Sequence, residues 1–176
     1  MNNKRTKAFS AMFVCLAAVL LLSMSISIAY ATKPIPVSGS FFTTPGTGST
    51  TQEKAGESDN YIVTFSGVTV TWTGDVAGTG SWNARWVAHN IALPLGDEWY
   101  NTKGHYAIDA TVDDKSGTLY IEACSNSGNP QAPRTWRIVG STDELANIHG
   151  QGIFVPDLST PSANDYLYSG EVHFDP

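Results

Sequence analysis

An alternation of apolar and polar residues with a period of two limits this chain more than any other feature. In Val68 to Gly74, Val68, Val70 and Trp72 fall on one face, and Thr69, Thr71 and Thr73 on the other. Ser81 to Asn90 repeats the pattern, setting Trp82, Ala84, Trp86 and Ala88 against Ser81, Asn83, Arg85 and His89. His105 to Val112 opposes Tyr106, Ile108, Ala110 and Val112 to His105, Ala107, Asp109 and Thr111. Gly117 to Cys124 opposes Leu119, Ile121 and Ala123 to Thr118, Tyr120 and Glu122. In Asp165 to Pro176, Tyr166, Tyr168, Val172 and Phe174 share one face. Successive side chains of an extended strand point to opposite sides, so each run reads as a strand with one buried face. No segment sustains a helical period.

Turn signals separate the runs. Gly74-Asp75 and Asp113 to Gly117 are tight connections, whereas Ser125 to Pro130 and Pro156 to Asn164 read as longer loops. Pro45 to Asp59, rich in Gly, Thr and Ser, reads as the most mobile stretch. Ser141 to Glu144 has the form of a capping box, but room remains for one turn at most. With Val37 to Thr44, Arg134 to Gly140 and the strand after Asn147, the expectation is an all-β fold of about eight short antiparallel strands, a barrel or a sandwich. Closure into a barrel removes the exposed edges that a strand-rich exported protein must otherwise protect.

Export is read from the N-terminus. Lys4, Arg5 and Lys7 precede an apolar run from Ala8 to Ala29, and Ala29-Tyr30-Ala31 supplies the small residues of a cleavage site before Thr32. The run is also long enough for an uncleaved membrane anchor, although Ser23, Ser25 and Ser27 weaken its far half. The expected organisation is a signal peptide over 1–31, a first strand with a flexible loop over 32–59, and the rest of the barrel over 60–176. The product would be secreted, cell-surface or periplasmic.

Cleavage takes three of the ten basic residues, leaving seven against sixteen acidic ones, a net charge of −9 on the remaining 145 of 176 residues. An acidic chain with no basic cluster argues against nucleic acid and against stable association with anionic membranes. Cys15 leaves with the signal, so Cys124 has no intramolecular disulfide partner. It reads as a small, partly buried strand residue.

The stretches WTGDVAGTGSWNARWVAHN, DDKSGTLYIEACS, DELANIHGQGIF and DYLYSGEVHFDP, in that order, resemble a bacterial and archaeal family of unknown function with the allene-oxide-cyclase-like barrel. The resemblance spans roughly Val68 to Pro176 and rests on structural rather than catalytic motifs. It implies an eight-stranded antiparallel (calycin-like) barrel with an apolar interior, related to cyclases that steer ring closure of apolar substrates. No catalytic residue carries over.

The candidate chemistry is sparse. His89, His105, His149 and His173 fall on the outward parity of different strands with no metal-ligand spacing, so they read as solvated, with no metal and no cofactor implied. Asp109 and Glu122 lie on neighbouring strands of the outward face, where a carboxylate pair would be solvated and unperturbed.

The inward aromatics are the strongest functional signal. Trp72, Trp82, Trp86, Tyr106, Trp136, Phe154 and Tyr168 are the candidate ligand-binding residues. An eight-stranded interior is just wide enough to be filled by side chains or to hold one small ligand. Three readings stay open: a binder of a small apolar molecule, a cyclase- or isomerase-like enzyme, and a structural protein with a filled barrel. An outer-membrane barrel is disfavoured, because Trp72, Trp82 and Trp86 cluster instead of forming two girdles. Oligomeric state stays open.

One stretch sharpens the question. Asn147 to Asp157 contains Gly150-Gln151-Gly152, but neither a third glycine nor a helix follows, so it is no phosphate loop. It reads as a strand whose two inward positions, between Ile148 and Phe154, are empty. They leave room for a bend, a facing ring or a ligand.

Overall fold

The structure is a computed structural model and describes residues 33–57, 59–89, 99–127, 133–160 and 164–175. The segment read as a signal peptide lies outside the described residues, as do parts of the loops after Ser127 and Thr160.

Among the described residues nine strands follow one another: β1 (Ile35–Thr43), β2 (Ser49–Lys54), β3 (Tyr61–Gly74), β4 (Val76–His89), β5 (Trp99–Val112), β6 (Lys115–Ser127), β7 (Arg134–Ser141), β8 (Ile148–Pro156) and β9 (Asp165–Phe174). They form one antiparallel sheet in the order β1-β9-β8-β7-β6-β5-β4-β3-β2, and β1 also pairs with β3. That last pairing closes an eight-stranded barrel, leaving β2 as an extra strand along the free edge of β3. Residues 39–43 of β1 occupy the edge of β3 at 70–74, and β2 continues along it at 61–66.

Two expectations are corrected. Pro45 to Asp59 is not simply a mobile loop, because it contains β2. All six residues of β2 are exposed and polar, so no apolar period marks it, and pairing with β3 alone makes it a strand. β3 itself begins at Tyr61 rather than Val68. A register shift between Phe65 and Val68 places Ser66 and Gly67 in a bulge, where the period of two breaks. Gly67 has φ +67° there, and its N–H donates to Asn83 Oδ1 at 2.9 Å.

Closure is fastened by side chains from distant parts of the chain. Tyr168 of β9 extends its phenol over Gly39 of β1 to the β3–β4 turn, where its oxygen accepts from Val76 N–H at 2.8 Å. The same hydroxyl lies 3.2 Å from the carbonyls of Thr73 and of Val76, either of which can accept its proton. Asp75, in the turn, accepts from Ser38 N–H at 2.7 Å. Gly74 makes this turn with φ +102°, a left-handed conformation that a side chain would strain.

The inward parity read from the sequence holds along β3, β5, β6 and β9. Val70, Trp72, Ile108, Val112, Leu119, Ile121 and Val172 are all buried. The capping-box segment makes a single 3-10 turn, Asp143–Leu145, whose fully buried Leu145 joins the core at the end of the barrel near the β5–β6 hairpin.

Candidate functional site

The residues expected to line the interior divide into two groups. Trp72, Tyr106, Trp136, Phe154 and Tyr168 are buried, each no more than 5% exposed. Trp82 and Trp86 are only half-buried. The two groups differ because Phe41 of β1 stands at the centre of the first. It stacks on Trp72 at 4.5 Å and on Tyr166 at 5.0 Å, and meets Phe154 and Tyr106 edge-on at 5.2 and 5.8 Å. Trp72 in turn leans on Tyr168 at 4.9 Å. Offset and edge-to-face rings at these separations are packed as a core. Burial pushes the Tyr106 hydroxyl far above its ordinary ionisation range. Trp72 Nε1 is buried with no hydrogen-bond partner among the described residues.

Phe41 carries the inward parity of Val37, two positions from Gly39, so its place was legible from β1. Its contacts were not, because they come from β3, β5, β8 and β9.

Toward the barrel end opposite Leu145 the described rings are only half-buried. Phe65, exposed to the interior by the bulge, stacks on Trp82 at 5.1 Å and tilts against Trp86 at 4.8 Å. Trp82 also stacks on Tyr106 at 6.2 Å, so the open cluster is continuous with the sealed one. Gly104 makes room for the Trp82 ring, whose Nε1 would lie 2.7 Å from a Cβ at that position. Across the mouth, Arg134 at the start of β7 points inward. Its guanidinium carbon lies 5.2 Å from the Tyr166 ring centre, 5.9 Å from Phe154 and 6.0 Å from Trp86. Arg134 Nη1 also donates to the Tyr166 hydroxyl at 3.3 Å. These half-buried groups, Phe65, Trp82, Trp86, Arg134 and Tyr166, form the candidate site. Sequence reasoning passed over Phe65, which lies outside any expected strand, and Arg134, a cation at an apolar parity.

The outer face holds a different arrangement. Asp109 and Glu122 do not pair: Asp109 stands opposite Thr118 and Glu122 opposite His105 in the β5–β6 register. Asp109 accepts from Thr118 Oγ1 at 2.9 Å. Nor is Glu122 solvated and unperturbed, being 6% exposed and the one buried charged residue among those described. Lys103 Nζ approaches Oε1 at 2.5 Å, and Arg137 Nε donates to Oε2 at 2.9 Å. Hydrogen bonds from Lys103 and then from Arg137 hold its carboxyl down at about 2. The cover is shallow, since Lys103 and Arg137 are themselves 60% and 68% exposed. The carboxylate is enclosed by its partners rather than by a deep low-dielectric interior, and charge pairing outweighs desolvation.

Glu122, Arg137 and Glu171 line a groove of about 900 Å³ on this outer surface, together with Cys124. Cys124 is exposed, not partly buried as its strand position implied. His149 and His173 do lie on the outer face, but they are not isolated. They stand opposite each other in the β8–β9 register with rings 5.4 Å apart, and both approach Asp175, at 3.1 and 3.6 Å. No group of three or more potential metal ligands occurs among the described residues.

A family model described as a protein of unknown function, DUF3224, matches residues 37–168. A solved structure of a DUF3224-family protein of unknown function from Shewanella oneidensis MR-1 shares the fold with a TM-score of 0.58 at 12% identity. It is covered over 99% of its length by 82% of this chain. No curated protein matches the chain.

Proposed function

The chain belongs to the DUF3224 family, whose function is unknown, and from that premise we propose that it is an exported barrel that binds a small apolar molecule in its aromatic interior, at the open end. The graded burial of the aromatic set carries this reading. Trp72, Tyr106 and Phe154 are sealed around Phe41, whereas Phe65, Trp82 and Trp86 keep partly exposed faces at one mouth. A protein gains stability by burying such rings, so a cluster left half-open is a ready surface for an apolar ligand. Export rests on the basic and apolar pattern of residues 1–31, and the allene-oxide-cyclase likeness on the motifs of β3 to β9.

The filled centre supports a second reading, a structural barrel with no ligand. Titration with the neutral fluorophore N-phenyl-1-naphthylamine separates the two. Binding predicts saturable one-to-one fluorescence enhancement that Trp86→Ala weakens at temperatures where the variant remains folded. No saturable signal in the wild type leaves the structural reading.

A further inference from the structure

We infer that the ligand taken by this mouth is an apolar organic anion, its body lying on Phe65, Trp82 and Trp86 and its acidic head held by Arg134. This rests on the binding reading above and names the chemical class of its ligand.

The cation is the anomaly that carries the inference. Arg134 directs a guanidinium into a barrel end whose other prominent walls are aromatic, with ring centres of Tyr166, Phe154 and Trp86 between 5.2 and 6.0 Å away. A charge partly withdrawn from water gains from an anionic partner. On the outer face Lys103 and Arg137 both meet Glu122. Among the described residues no carboxylate lies within ion-pairing distance of Arg134, which donates instead to the Tyr166 phenol at 3.3 Å. Ring faces offset part of the cost through cation–π attraction, but they supply no hydrogen-bond acceptor in the guanidinium plane.

A position meant only to fill the barrel would carry an apolar residue, as Phe154 does directly opposite Arg134 on β8. A guanidinium instead offers a planar fork of donors suited to a carboxylate, sulfonate or phosphate. Thr102 and Ser125, paired across β5 and β6, stand at the level of Trp86, bringing two hydroxyls to the same rim. Among the described residues, one arc of this rim is thus aromatic and another polar and cationic. That division matches an amphipathic acid.

The test uses two probes of one skeleton, neutral N-phenyl-1-naphthylamine and its sulfonate, 8-anilino-1-naphthalenesulfonate. The wild type should bind the sulfonate roughly tenfold more tightly, the scale of one charge-assisted hydrogen bond. Arg134→Met should bring the two affinities together while keeping the neutral probe. Should that variant not fold, the wild-type preference should shrink between roughly 20 mM and 500 mM NaCl, where an ionic contact is progressively screened. Equal affinities in the wild type at low salt overturn the anion inference and leave the apolar pocket standing. Binding of neither probe overturns both.

Discussion

The indole of Trp136 occupies the space that a side chain at position 152 would need. A Cβ on Gly152 would come 2.7 Å from Trp136 Cε2 and 2.1 Å from the Ser169 carbonyl oxygen. The ring runs on over Gly170, where a Cβ would meet Cζ2 at 2.5 Å, and its Nε1 donates to the Ile153 carbonyl at 3.2 Å. The paired glycines of β8 and β9, opposite each other in register, are therefore a seat for one tryptophan. Of the uses open to Gly152 in the sequence, the facing ring is the one realised.

Gly152→Ala should cost about 1–3 kcal/mol in urea unfolding, since the new methyl meets backbone and a packed ring rather than a flexible chain end. Gly152→Leu should not fold. Wild-type stability in the alanine variant would show that both Trp136 and the β9 backbone at Ser169 move aside freely.

Tyr168→Phe should destabilise the barrel by about 1–3 kcal/mol by leaving the Val76 N–H without its phenolic acceptor. The effect should depend on alkaline pH. Burial pushes the Tyr168 hydroxyl up to about 12 from an ordinary value of 10.0, so the unfolded chain ionises first. Stability is intact below pH 10 and falls as pH rises toward 12. The phenylalanine variant should lose part of that fall, which urea midpoints across this range will measure.

Glu122 sets the acid limb. Its carboxyl titrates near 2 in the fold against 4.5 ordinarily, so its contribution is complete above pH 4.5 and disappears as pH falls to about 2. Glu122→Gln should be less stable at neutral pH and show a flatter decline through this window. An acid limb superimposable on the wild type would mean that Lys103 and Arg137 do not hold the carboxylate in solution.

Phe41→Ala should cost about 3–5 kcal/mol, because it removes the ring on which Trp72, Tyr166, Phe154 and Tyr106 converge. Thermal unfolding will measure the loss, and tryptophan emission should shift to longer wavelength as water reaches Trp72.

Much of this fold can be read along the chain, for a local reason. Alternation of side chains is a property of extended backbone, so the inward set of Trp72, Tyr106, Ile108, Leu119, Tyr168 and Val172 is written in the spacing of residues. The same spacing puts Glu122, His149 and His173 outside, and it makes an all-β barrel the economical way to bury one face of every strand. Two local exceptions defeat it: the bulge at Ser66-Gly67 hides the first half of β3, and the uniformly polar β2 has no period to show.

What only the tertiary structure decided is which faces meet. The partners of Phe41 come from four strands, those of Glu122 from β5 and β7, and the anchor of Tyr168 lies 92 residues away at Val76. Such neighbours are set by the closure of β1 on β3 and by the register that closure imposes around the barrel, and no run of residues encodes them by itself. For that reason the sequence presents its seven candidate ligand-binding aromatics as equals. Closure is what seals five of them and leaves Trp82 and Trp86 half-open beside Arg134.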